Sequence, residues 1–295
     1  MLSLAGLRYR CALAVDGGPI ERIDMDPFPM FGRQLFQANA TLIKGLVPRS
    51  CHDMYGNSSG TGTHKYPIVA SHIAVSEAIE RWAYHITANS NRRSQFGFDE
   101  DESTNGIAAF PGWNRRSARK AAVFEAYERH CLLNWWDGRI DGKLCGTAWP
   151  GITAVVFEPL SDIIVAVLFG QADSGAFIYG HAAAETFSEA CKHAGLELMR
   201  HERAVRGLMA RTDKINPLKM KNKYERRALF FSTGDGYEIF CQRLSRMAFG
   251  PAPKHAIICD DEIEGPWTKF ATVWRFALSP PSKRFVLDGD DYFFW

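Results

Sequence analysis

The chain has 295 residues, 46% of them hydrophobic and 23% charged, with a formal net charge of +2. Such a composition excludes a disordered or fibrous protein and supplies a sizeable core, and the near balance of charge speaks against a nucleic-acid partner. No apolar run reaches the roughly 18 residues a membrane span needs, and Arg8 and Arg10 interrupt the apolar N-terminus, so the reading is a soluble, cytoplasmic chain without a membrane or a signal peptide.

Seven cysteines are spread along the chain without a Cys-x-x-Cys pair, which argues against a disulfide framework. Cys51, His52 and Asp53 have metal-capable side chains, but three adjacent residues do not converge on one ion in regular structure.

In chain order, residues 1–50 carry short apolar segments broken by Gly17, Gly18, Pro19, Pro27 and Pro29, which predicts one or two edge strands. Residues 31–43 read equally as strand or helix. GNSSGTG at 56–62 reads as a flexible polar loop, a plain turn or else a cradle for phosphate, and no GxxxxGK[ST] sequence is present. A helix is predicted from Tyr66 to about Ala88, with Pro67 in its first turn. A polar surface loop follows, then a tight Asn-Gly turn in STNGIAAF at 103–110. A second helix is predicted from about Arg116 to Trp136.

Within these helices AVSEAIERWA at 74–83 and AVFEAYERHC at 122–131 repeat in register. Glu77, Glu80 and Arg81 share one helical face, as do Glu125, Glu128 and Arg129. Four carboxylates on two facing helices require cations, and a divalent metal is the natural one.

After Gly142 the pattern changes to β-branched runs at 152–157 and 163–169, with 176–179 as a further strand. A third helix is predicted from about Ala182 to His201. Its SEACKH echoes SEAIER and sets Glu189 in the place of Glu77. Residues 200–227 hold ten basic side chains against three acidic ones, a solvated face or else a landing surface for an acidic peptide. YEIFCQRL, HAIICDD and FATVWRFAL suggest a further helix and strands, and the aromatic C-terminal DDYFFW is expected to dock.

Three of these stretches together resemble the YcaO family of ATP-dependent peptide-modifying enzymes: Glu77-Ala-Ile-Glu80-Arg81, Ser103-Thr-Asn105-Gly106-Ile-Ala108-Ala109 and Glu125-Ala-Tyr-Glu128-Arg129. The resemblance spans about residues 58–136 and continues more weakly to about 193. It implies one α+β domain over 1–295, with a lead-in at 1–55, a nucleotide and metal-site core at 56–200 and a C-terminal part at 201–295. It implies ATP and Mg2+ as cofactors, bound through Glu77, Glu80, Asn105, Glu125, Glu128, Arg129 and Glu189, with Glu77, Glu80, Glu125 and Glu128 as metal ligands.

The implied activity is ATP-dependent activation of a peptide backbone amide, giving an azoline or a thioamide in a ribosomally synthesised, post-translationally modified peptide such as a bacteriocin. Its partners would be the precursor peptide and a peptide-docking or dehydrogenase maturation protein, in a homo- or hetero-oligomer. For a general base the chain offers His64, His72, His130 and His193. Some positions depart from the family pattern: Thr61 where a Lys is common between two glycines, Ser117 where many relatives have a Glu, and Lys192 in place of a Gln. A Pro-x-Pro-x-Pro tail is also missing. These departures keep open a degenerate, non-catalytic scaffold subunit.

Overall fold

The computed structural model describes residues 9–48, 54, 58–101, 103–112, 114–211, 220–249, 254–279, 285 and 292–294. Cys51, His52, Asp53, Pro280, Pro281 and Trp295 lie outside them. These residues form a mixed α+β fold with three antiparallel sheets, divided into two compact units.

Of the described residues, the first unit takes those within 58–126 with the flanking 9–48 and 255–279. Strands β1 (Ile20–Met30) and β2 (Arg33–Leu42) form a hairpin through Phe31 and Gly32, both at positive φ. Residues 31–43, ambiguous in sequence, are therefore largely strand. β3 (Gly60–His64) extends this sheet, so the expected loop at 56–62 gives way to strand from Gly60 onward. The reason is packing against α1 (Pro67–Ala88). A Cβ on Gly60 would fall 2.2 Å from the Ala74 carbonyl oxygen, and one on Gly62 2.1 Å from that of Ala70. The strand backbone thus lies directly on a helix face of Ala70, Ala74 and Ala78, an approach open only to glycine. Trp82 of the same helix meets Trp267 edge-on at 5.5 Å.

A second sheet of this unit has the order β4–β10–β9, from β4 (Ile107–Pro111), β9 (Ala256–Glu262) and β10 (Ala271–Ser279). Helix α2 (Arg115–Trp136) begins beside it, where Arg119 makes a two-pronged ion pair with Asp260 at 2.6–3.0 Å. Asn114 caps the helix by accepting from the Ser117 N–H at 3.2 Å.

Of the described residues, the second unit holds those within 127–254 together with Met54, Phe285 and residues 292–294. Its sheet runs β5 (Lys143–Gly146), β6 (Ile152–Leu160), β7 (Ile163–Gln171) and β8 (Phe177–Ala184) in sequence order. α3 (Phe187–Met209) packs on β8, and α4 (Lys223–Phe231) and α5 (Gly234–Ser245) follow. Trp135, Trp136, Tyr179, Phe231, Phe240 and Phe293 fill the interior with mostly edge-on and tilted rings.

Gly180 of β8 repeats the device of Gly60. A Cβ there would fall 2.1 Å from the Ala194 carbonyl oxygen and 2.3 Å from the Leu198 nitrogen, as one on Gly60 would meet Ala74 and Ala78. Every partner is shifted by the same 120 residues, so β3–α1 and β8–α3 are one module used twice.

Among the described residues no helix is long and apolar enough to cross a membrane, and the six described cysteines are free. The aromatic tail docks: Tyr292, Phe293 and Phe294 are buried, and the Tyr292 hydroxyl donates to Asp137 Oδ1 at 3.0 Å.

Candidate functional site

In the first unit, α1 and α2 bring Glu77 and Glu125 within electrostatic reach of Glu80. Glu77 is held from two sides. Its Oε2 accepts from the Thr61 N–H at 2.8 Å, and its Oε1 from Arg81, one turn along the helix, at 2.5 Å. Arg81 also donates to the Ser58 carbonyl at 3.3 Å, so it orients Glu77 and the start of β3 together.

Glu80 is half-buried, and its pKa stands well above the ordinary carboxylate value. Burial is the largest cause, then the charges of Glu125 and Glu77; Arg81 and a backbone hydrogen bond from Ala109 oppose them. Among the described residues no three His, Cys, Asp or Glu side chains stand close enough to hold a metal ion by themselves.

Asn105 lies in the turn before β4. Its side chain is buried, and among the described residues its Oδ1 has no hydrogen-bond partner. The turn itself is fixed from β10 by Arg275, whose side chain is fully buried. The guanidinium donates to the carbonyls of Phe96 at 3.4 Å, Ser103 at 3.3 Å, Asp101 at 3.0 Å and Asn105, and it lies over the Phe98 ring. One side chain thus satisfies four carbonyls of a loop that has no ladder of its own. Asp101 completes the turn by accepting from the Ser103 hydroxyl at 2.6 Å.

Glu128, Arg129 and Glu189 belong to the second unit. Glu128 is bound at Oε1 by His181 Nδ1 at 2.6 Å. The Arg129 guanidinium lies over the rings of Phe285, at 4.8 Å, and Phe294, at 5.2 Å, so the C-terminal aromatic segment shapes its surroundings. Glu189 is exposed in the first turn of α3, where the N-cap Thr186 hydroxyl accepts its N–H and donates to its carboxylate at 3.0 Å. The 120-residue register of the repeated module sets Glu197 where Glu77 stands, rather than Glu189.

The histidines chosen from sequence have separate local settings. His64 accepts from the Tyr66 N–H, His72 packs edge-on to Tyr9, His130 bonds Asn134, and His193 is exposed. His181 and Arg275 were not singled out, because each matters only through contacts with residues distant in the chain. Arg200 and Arg206 pair with Glu197 and Glu202, and Arg227 is fully buried against Tyr224, Phe285 and Tyr292.

This architecture matches that of YcaO from Methanopyrus kandleri, solved bound with AMPPCP and Mg2+, at a TM-score of 0.55 and 14% identity over 96% of this chain and 91% of that one. The fold is YcaO-like. A chain of the E. coli microcin synthetase McbBCD complex with pro-MccB17 bound matches at a TM-score of 0.51 and 10% identity, covering 87% of each chain. No protein-family model and no curated protein matches the sequence. Within this YcaO-like fold the departing positions have local tasks. Thr61 donates its hydroxyl to Asn39 Oδ1 at 3.2 Å, Ser117 sits in the capped first turn of α2, and Lys192 is exposed on α3.

Proposed function

We propose that this chain uses ATP and Mg2+ to activate a peptide backbone amide, by azoline-forming cyclodehydration or thioamidation, in the maturation of a ribosomally synthesised peptide. The observation that carries the reading is the setting of Glu80, where burial first and then the charges of Glu125 and Glu77 leave it reluctant to ionise without a cation. An all-oxygen set of this kind fits magnesium, which binds through a few carboxylates together with substrate phosphates. The two fold neighbours, one bound to an ATP analogue and Mg2+ and the other to a precursor peptide, support it.

In this reading Glu77, Glu80, Glu125 and Glu128 hold the cation, which supplies charge to neutralise the phosphates. Asn105 offers its buried Oδ1 to the ligand, Arg129 contacts phosphate, and Glu189 belongs to the nucleotide-binding set. A substrate Cys, Ser or Thr side chain, or external sulfide, adds to the peptide carbonyl. The former carbonyl oxygen then takes the γ-phosphoryl group of ATP and leaves as phosphate, because phosphorylation turns a poor leaving group into a good one at neutral pH. The protein's share is positioning and charge neutralisation.

We further propose that the chain works in a complex with another maturation protein that presents the peptide. The test is to purify the chain alone and with its genomic neighbours, supply a candidate precursor peptide and Mg-ATP, and follow peptide mass. Loss of one water, or exchange of one oxygen for sulfur, only with ATP and the partner present is the expected result. ATP-independent change, or no change with any neighbouring peptide, contradicts the activity, and efficient modification by the chain alone contradicts the partnership.

A further inference from the structure

β8 carries a histidine set by the repeated module. Gly180 turns its bare Cα onto α3, so the strand pleat turns His181 to the opposite face. There its Nδ1 stands 2.6 Å from Glu128 Oε1, with 11% of the histidine side chain and 18% of the glutamate side chain exposed. An ionised carboxylate only accepts, so Nδ1 carries the proton and donates. The ring is further braced edge-on by Phe294 at 6.2 Å.

We propose that His181 is a positioning residue for Glu128: by holding Oε1 it fixes the carboxylate plane and leaves Oε2 as the oxygen offered to a divalent cation. This rests on the reading of Glu128 as a metal ligand. A glutamate on a helix otherwise samples several rotamers, whereas magnesium demands nearly ideal octahedral geometry. Hydrogen-bond partners of metal ligands accordingly count for much of the affinity.

The first unit repeats the arrangement. Thr61 follows Gly60 as His181 follows Gly180, and its N–H holds Glu77 Oε2 at 2.8 Å. In both units the residue after the helix-facing glycine secures a carboxylate of the proposed metal set, once through the backbone and once through a side chain.

The test is a paramagnetic-resonance titration of Mn2+ into the full chain with a non-hydrolysable ATP analogue, comparing the wild type with His181→Asn and His181→Gln. The Asn amide nitrogen can take the place of Nδ1, whereas the Gln amide reaches the place of Nε2 instead. His181→Asn is expected to keep the Mn2+ affinity within about twofold, and His181→Gln to lose about ten- to a hundredfold. If His181→Gln does not fold, as judged by circular dichroism, His181→Leu serves as the donor-free variant with the same expected loss. Equal affinity in all variants, or equal loss in Asn and Gln, overturns the inference. A wild-type chain that takes up no Mn2+ with the analogue overturns the nucleotide reading itself, and this inference with it.

Discussion

Replacing Glu80 by Gln should stabilise the metal-free chain and disable it at the same time. Burial first, and then Glu125 and Glu77, raise the Glu80 pKa above its ordinary value of 4.5. The native chain therefore holds this proton more tightly than the unfolded one. The stability it contributes is whole below about pH 4.5 and is lost as pH rises through the folded value. At neutral pH the metal-free chain carries the cost either of that burial and repulsion or of retaining the proton, a cost that a bound cation relieves. Two like charges about 6 Å apart in an effective dielectric of about 20 repel by about 3 kcal/mol, and partial exposure discounts this to about 1–2 kcal/mol. Glu80→Gln keeps the shape and removes the charge, so the melting temperature of the metal-free chain at pH 7.5 should rise by about 2–8 °C. The gain should close toward pH 4, and the rise in melting temperature that Mg-ATP gives the wild type should vanish. Thermal melts from pH 4 to 8, with and without Mg-ATP, read both effects. A lower neutral-pH melting temperature in the metal-free variant, or a surviving nucleotide shift, would refute the reasoning.

Burial lowers the His201 pKa from 6.5 to about 4, so its contribution to stability is whole above pH 6.5 and is lost as pH falls toward 4, about 3 kcal/mol in all; His201→Gln should flatten that part of a pH–stability curve, and an unchanged curve contradicts it. Arg275→Met strands four loop carbonyls and takes the cation away from the Asp101 carboxylate, and should cost about 3–5 kcal/mol in denaturant unfolding; a change under about 1 kcal/mol would show that the loop holds itself. Phe293, fully buried beside Trp135, Trp136 and Phe240, should cost about 3–5 kcal/mol on replacement by Ala, whereas a loss under about 0.5 kcal/mol would mean that the tail is not part of the core.

The paired helices were legible because their apolar period, proline start and repeated Glu-Ala-x-Glu-Arg agree, and they run within a residue of expectation at Pro67–Ala88 and Arg115–Trp136. The third helix was set too early. Ala182, Ala183 and Ala184 favour helix by propensity, yet they pair with Ala166, Val165 and Ile164 of β7, and the helix runs from Phe187 to Met209. The same long-range packing made a strand of Gly60–Gly62, since glycine marks close approach as readily as a loop. Arg227 read as one more solvated cation because nothing local announces the aromatic rings that enclose it. His181 and Arg275 were missed for that reason too: the first acts on a residue in another helix, the second on a loop about 170 residues earlier.

Calorimetric titration of ATP into the chain, first with Mg2+ and then with the metal chelated, tests the central claim most directly. Saturable binding at one site that disappears on chelation and in Glu80→Gln is the predicted result. Absence of binding in both conditions, or equal binding with and without Mg2+, would contradict the assignment of these carboxylates to a magnesium-nucleotide site.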